Sequence, residues 1–410
     1  MAEVIVVLKS PNLAKDFRAD AQAIGLEPLP FPGLPRHFRF LGVSPAEFPL
    51  AHHPAVETWD DGEKKLTPAA TQNVTLNADM TGTGGWAAAR CIRRRNPWAS
   101  PQIFPRTSTF DIKRTGAGVD IFIIDSGVDY LHPEFGGRVN QYWHYETSYA
   151  TAVLDDTGHG SHCLGLALGR TVGIAREARG HSMKFFNANT GAPVSNAIAA
   201  MAAILSQYNA QADDDRPAVM FMSWVGFTST IDAAVTDMIN AGIVCCYPAG
   251  NEAIDITTSV VRPAESDPDT IVCGGIQIYD TAYYIPNTTA GGEFGTNFSL
   301  TDVDILAPAQ ATMSVNRTSA GGGYRIDSGT SYATAVVAGV VACMLQGYKR
   351  LTTRAQVRAV KQRLLDNATT GALKPLRKKD GGLFNLPDRI LYLNPMIEFE
   401  VIPELVPRNP

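Results

Sequence analysis

Four residues, in the chain order Asp125, His159, Asn251 and Ser331, carry side chains suited to acyl chemistry. A serine hydroxyl is a weak nucleophile until a base takes its proton, and an imidazole is the side chain whose ordinary pKa suits that base. A carboxylate can fix the imidazole's tautomer, and a primary amide can donate to developing negative charge. Asp125 closes an apolar run in VDIFIIDSGVDYLHPEF, where the carboxyl end of a parallel strand would open on a ligand crevice; an Asp there also reads as a turn cap. His159 and His162 lie in DDTGHGSHCLGLALG, His159 between Gly158 and Gly160, at the start of a helical pattern. Their spacing also permits a metal site, but no third ligand cluster supports one.

Asn251, in PAGNE, follows the apolar run GIVCCY and reads alone as a turn residue or as an amide donor. Ser331, in DSGTSYATAVVAGVVACML, precedes a long apolar helix of small residues. A serine at that position is ordinarily a cap, yet the same geometry exposes its hydroxyl and aims its backbone N–H at an oxyanion. Each segment is ambiguous alone. Their order, each at a strand end or helix start of one domain, is the discriminating feature.

The elements that must position these groups run from Trp86 to about Asn394. Ile121–Ile124, Ala218–Ser223, Gly242–Tyr247 and Thr270–Gly275 are continuous apolar runs alternating with helical patterns. Continuous rather than alternating apolar strands predict a mainly parallel sheet covered on both faces, a three-layer α/β domain. Residues 1–66 read as a small α+β module of ferredoxin-like pattern, with strands at Val4–Leu8, His37–Val43 and Val56–Trp59 and helices at Asn12–Ile24 and Pro45–His52. Residues 67–85 are small, polar and Gly-rich and read as a linker. Residues 395–410 read either as an extended arm able to dock on a protein partner or as a frayed end.

The 410-residue chain is 45% hydrophobic and 18% charged, with a net charge of −5, a balance offering no general attraction to nucleic acid or anionic lipid. No membrane span or secretory leader is readable near the start, which predicts cytoplasmic synthesis. The six cysteines sit mostly inside apolar segments without CxxC spacing and read as buried thiols.

The four segments resemble the signatures of the subtilisin-like serine proteases, in which Asp, His and Ser follow one another in this order. DSG matches the aspartate motif, HGSHC the histidine motif and GTSYATA the serine motif, and the likeness spans about Trp86 to Asn394. The resemblance implies Ser331 as nucleophile, His159 as general base, Asp125 as its orienting carboxylate and Asn251 as oxyanion donor. It implies Ser223, Trp224, Val225 and Gly226 as the strand that pairs with an extended polypeptide substrate, and Ala249 and Gly250 as the opposite wall of the S1 pocket. Val225 stands where the family carries glycine, which predicts small or slender P1 residues. Cys163 resembles the cysteine beneath the catalytic histidine in the proteinase K branch and implies sensitivity to mercurials.

The amino-terminal module resembles the family's propeptide, which implies an intramolecular inhibitor whose segment after Lys65 lies along the cleft and is cut within Thr67–Gly85. No organic cofactor is implied; calcium is expected only as a structural ion of the family, without assignable ligands. The alternative is a catalytically silent structural or assembly subunit, for example of a phage particle, keeping the fold and recruited through its arm.

Overall fold

A computed structural model describes residues 3–45, 48–61, 65–68, 86–96, 112–145, 155–186, 192–210, 215–226, 228–257, 261–286, 292–395, 397 and 400–408. The elements in chain order are β1 (Glu3–Leu8), α1 (Ala14–Ala23), β2 (Leu29–Phe31), β3 (Leu34–Leu41), β4 (Val56–Asp61), β5 (Lys65–Pro68) and α2 (Trp86–Cys91). Then follow β6 (Asp120–Asp125), β7 (Val139–His144), α3 (His159–Leu168), β8 (Arg179–Lys184), β9 (Ala192–Pro193) and α4 (Val194–Ala210). Next come β10 (Ala218–Met222), β11 (Trp224–Val225), α5 (Thr230–Asn240), β12 (Val244–Pro248), β13 (Ile271–Ile276), β14 (Tyr284–Ile285) and β15 (Phe294–Gly295). The last are β16 (Ile305–Pro308), β17 (Thr312–Val315), β18 (Tyr324–Asp327), α6 (Thr330–Leu345) and α7 (Arg354–Asn367).

The central sheet is seven-stranded, in the order β16-β13-β12-β10-β6-β8-β7, and every pairing in it is parallel. The four apolar runs form β6, β10, β12 and β13, whose residues are buried throughout. Burial on both faces is why these strands are continuously apolar. Helix α6 packs on α3 and on five strands of the sheet, while α4 and α5 pack on each other. All sixteen residues of α6 are buried, so it is the central helix and is apolar all round. A Cβ on Gly339 would meet the Ala167 carbonyl oxygen at 2.6 Å; glycine there lets α6 approach α3 closely. That contact sets the helix carrying Ser331 against the helix carrying His159.

The amino-terminal module forms a four-stranded sheet, β2-β3-β1-β4, with β1 antiparallel to both neighbours. Val4, Val6, Leu8, Phe17, Phe38 and Phe40 are among its core. The α-helix expected at Pro45–His52 is absent from its described residues: Pro45 lies in a 3-10 turn and residues 49–52 form turns. Pro45 and Pro49 lack the N–H that a helix needs, and Phe48 and Leu50 are buried from irregular backbone instead. The module docks on α5 and its approach: Arg36 pairs with Asp237 at 3.4 Å, Thr58 Oγ1 meets Ser229 Oγ at 3.2 Å, and Thr228 donates to Asp60.

Residues 67 and 68, expected in a linker, belong instead to β5; residues 69–85 lie outside the described residues. The carboxy-terminal arm, expected to reach for a partner, is held on the chain's own body. Glu400 is buried between Arg114 and Arg363 at 2.8 and 2.7 Å, and Ile402 and Leu405 join the core. Lys349 N donates to the Val406 carbonyl and Arg408 N to that of Gly347. All six cysteines are buried free thiols. Among the described residues, no helix is long and apolar enough to cross a membrane.

Candidate active site

The predicted groups converge at the carboxyl ends of the central strands. Asp125 is the last residue of β6, Ser223 follows β10 directly, and Ala249, Gly250 and Asn251 follow β12. His159 is the first residue of α3, and Ser331 is the second of α6.

His159 reaches Asp125 because glycine lets it. A Cβ on Gly160 would lie 2.1 Å from the Gly127 carbonyl oxygen and 3.2 Å from Asp125 Cβ, so a side chain there would push the start of α3 off the end of β6. Gly158, at φ +83°, makes the left-handed turn into the helix, a conformation that side chains resist. With both in place, His159 Nδ1 lies 2.8 Å from Asp125 Oδ1 and 2.9 Å from Oδ2. A ring nitrogen between two carboxylate oxygens carries its proton, so that Nε2 is the acceptor whenever the ring is neutral. Burial disfavours the imidazolium, but the Asp125 charge and hydrogen bond outweigh it and hold His159 well above its ordinary 6.5.

His162, one turn on, does not join the pair. Burial, Arg325 and His159 hold it well below 6.5 and so neutral, and its ring lies against Tyr332 at 4.5 Å. Cys163 Sγ sits 4.0 and 3.9 Å from the two ring nitrogens of His159, and burial pushes its thiol up, keeping it protonated. Asp125, His159 and Cys163 are the one group of close metal-ligand types among the described residues. An imidazole already bonded to its carboxylate, beside a protonated thiol, does not fit calcium, which takes oxygen donors.

Ser331 is fully buried, and its hydroxyl donates to the Ser223 carbonyl oxygen at 3.2 Å rather than to His159. Ser223 Oγ returns a bond to the Ser331 carbonyl at 3.3 Å. Asn251 Oδ1 accepts from Thr330 N at 2.8 Å, which fixes the side-chain amide beside the start of α6 with Nδ2 as its donor end.

Asn297, which the sequence did not single out, holds the loop bearing Asn251. Its Oδ1 accepts from Glu252 N and Ile254 N, and its Nδ2 donates to the Ala249 carbonyl and to Glu252. Gly250, at φ +101°, leaves no room for a Cβ, which would meet Asn297 Nδ2 at 2.3 Å.

Strand β11 carries Trp224 and Val225, both buried, and Gly226 follows it, bridged to Arg262. Antiparallel to β11 runs the chain's own β5, pairing Trp224 with Pro68 and Val225 with Thr67. The other edge of β5 pairs with β9, Lys65 with Pro193 and Leu66 with Ala192. An extended segment of the chain thus lies as the middle strand, paired with the strand that follows Ser223, whose carbonyl the Ser331 hydroxyl meets.

A model of the subtilase family matches residues 116–385. Proteinase R of Parengyodontium album is 29% identical over 62% of this chain and 61% of its own. The extracellular serine proteinase of Thermus sp. (strain Rt41A) is 31% identical over 62% of this chain and 58% of its own. This chain therefore spans about three fifths of these relatives' length. A cold adapted subtilisin-like serine proteinase structure superposes with a TM-score of 0.59 at 25% identity, over 75% of this chain and 97% of that one. Fervidolysin from Fervidobacterium pennivorans shares the fold over 98% of this chain and 61% of its own, with a TM-score of 0.63 at 16% identity.

These relatives correct the expected location. The Thermus relative is named as extracellular, which argues against a cytoplasmic or virion setting, and names that say proteinase do not favour a silent assembly subunit. By its family match, its relatives and its parallel sheet with Asp, His and Ser in order, the chain belongs to the subtilase family.

Proposed function

We propose that the chain is a serine endopeptidase, latent in the uncut form, that hydrolyses peptide bonds through Ser331, His159 and Asp125. The observation that supports this reading is the pairing of β5 with β11, an extended peptide added to the strand that follows Ser223. A substrate bound in the same way presents its carbonyl carbon to Ser331 Oγ. His159 Nε2 takes the hydroxyl proton while Asp125 holds Nδ1–H, and the oxyanion is met by Asn251 Nδ2 and the Ser331 N–H. The amine leaves with the proton from His159, and water activated by the same nitrogen releases the acyl group from Ser331 Oγ.

In the uncut chain the Ser331 hydroxyl is turned to Ser223, so engagement requires rotation about its side-chain torsion. The amino-terminal module serves as the intramolecular inhibitor, delivering β5 into the cleft. The described part of β5 ends at Pro68, and the next bond along the sequence, Ala69–Ala70, joins two small residues and is the one assigned to maturation. A small P1 residue agrees with the branched Val225 that narrows the pocket mouth.

The test is amino-terminal sequencing of the carboxy-terminal fragment after incubation. The expected new terminus is Ala70, and the Ser331→Ala chain stays whole. A chain that matures normally with Ala at 331, or a matured enzyme that cuts efficiently after Phe or Tyr, contradicts this reading.

A further inference from the structure

One of the enclosed carboxylates that the mechanism leaves unused stands close to the imidazole. Asp155, only 1% exposed, stands four residues before His159, and among the described residues no basic side chain pairs with its carboxylate. A buried charge without a counter-ion persists only when hydrogen-bond donors surround it. Here the donors are the backbone around the imidazole. Asp155 Oδ1 accepts from Gly158 N at 2.8 Å. It accepts from Thr157 Oγ1 at 3.3 Å, and that hydroxyl accepts from His159 N at 3.0 Å. It also accepts from Ser126 Oγ at 2.6 Å, and that hydroxyl accepts from Gly160 N at 3.1 Å.

The N–H groups of the three successive residues centred on His159 therefore end, directly or through one hydroxyl, on a single oxygen. The other oxygen takes Ser161 N at 2.8 Å, the helix-start donor that Gly158, having no side chain, cannot cap. Ser126 is also the neighbour of Asp125, and its N–H donates to Asp125 Oδ1 at 2.7 Å.

We propose that Asp155 is a positioning residue that, through Ser126 and Thr157, locks the start of α3 onto the end of β6 and so sets the His159–Asp125 geometry. Its kinetic consequence rests on the peptidase reading above, while its spectroscopic consequence does not. Asp155→Asn keeps one acceptor but sets an NH2 against the Ser161 N–H and loses the charge that strengthens every bond. Ser126→Ala removes only the link between α3 and β6 and leaves the fold's volume nearly intact.

The experiment compares wild type, Asp155→Asn, Ser126→Ala and the double variant in two ways. Kinetics on the matured enzyme should show kcat down on the order of 10- to 100-fold in Asp155→Asn with KM little changed, because among the described residues the hydrogen bonds of its carboxylate go to Ser126 and to the start of α3 rather than to β11. The double variant should lose less than the product of the single losses. In proton NMR of the intact chain, the low-field Nδ1–H signal of His159 should shift or broaden in both single variants.

An Asp155→Asn chain with lowered thermal stability but wild-type kcat and an unmoved His159 proton overturns the proposal, leaving Asp155 a simple cap. If wild type cuts no peptide, the peptidase reading fails and the proton spectrum still decides the role of Asp155.

Discussion

At the scale of residues, the site depends on which proton sits where. Asp125 keeps the His159 proton on Nδ1 and raises the imidazole well above its ordinary 6.5 despite burial. Only the neutral ring can accept the serine proton, so the rate of Ser331 acylation should climb as pH rises through the folded-state pKa and level off above it. A midpoint below 6.5 in a pH series of inactivation rates would contradict the coupling. The same shift has a stability side: the pair's contribution is full below 6.5 and is lost as pH rises through the folded value. Asn251 is held by Thr330 N independently of substrate, so its amide is preorganised. Asn251→Ala should lower kcat by about 10²–10³ with little change in KM, the size of loss that follows removal of one oxyanion donor. Steady-state kinetics on a peptide substrate checks this, and a loss confined to KM would speak against an oxyanion role.

At the scale of elements, glycines decide how close the parts come. Gly160 lies where a Cβ would strike the Gly127 carbonyl, and this backbone contact cannot rotate away. Gly160→Ala should cost about 1–3 kcal/mol of stability and abolish most activity, because α3 must shift away from Asp125 to accept the methyl group. Thermal melting and kinetics on the same protein measure both effects; a stable, fully active variant would mean the helix start has slack that the structure does not show. The strands of the sheet were legible because burial on both faces leaves continuous apolar runs, as in β6 and β12. The short elements were not. The Pro45–His52 segment has apolar spacing that suits a helix, but its prolines remove the needed donors. Strand β5 has no pattern of its own, because its partners β9 and β11 are distant in sequence.

The candidate site was legible for a related reason. Catalytic groups at strand ends and helix starts come with glycines and small residues in fixed local order, and DSG, HGSHC and GTSYATA carry that order in the sequence. Asp155, Ser126 and Asn297 act through hydrogen bonds that the fold alone brings together. The one available signal was an acid shortly before His159 in DDTGHG, which by itself reads as a loop residue.

At the scale of the whole molecule, the amino-terminal module rests on α5 and β5 pairs with β11, while Ser331 and Trp224 are both buried; on the proposed reading it is the module that holds β5 in the cleft. The carboxy-terminal arm closes on the same body through Glu400. The central claim is that a competent Ser331 is covered by the chain's own strand. It is tested most directly by labelling with a fluorophosphonate, before and after removal of the residues preceding Ala70. The account predicts slow or no labelling of the intact chain, rapid labelling once the module and β5 are gone, and none in either form of Ser331→Ala. Equal labelling of the intact and shortened chains would contradict the cover, and no labelling of the shortened chain would contradict the nucleophile.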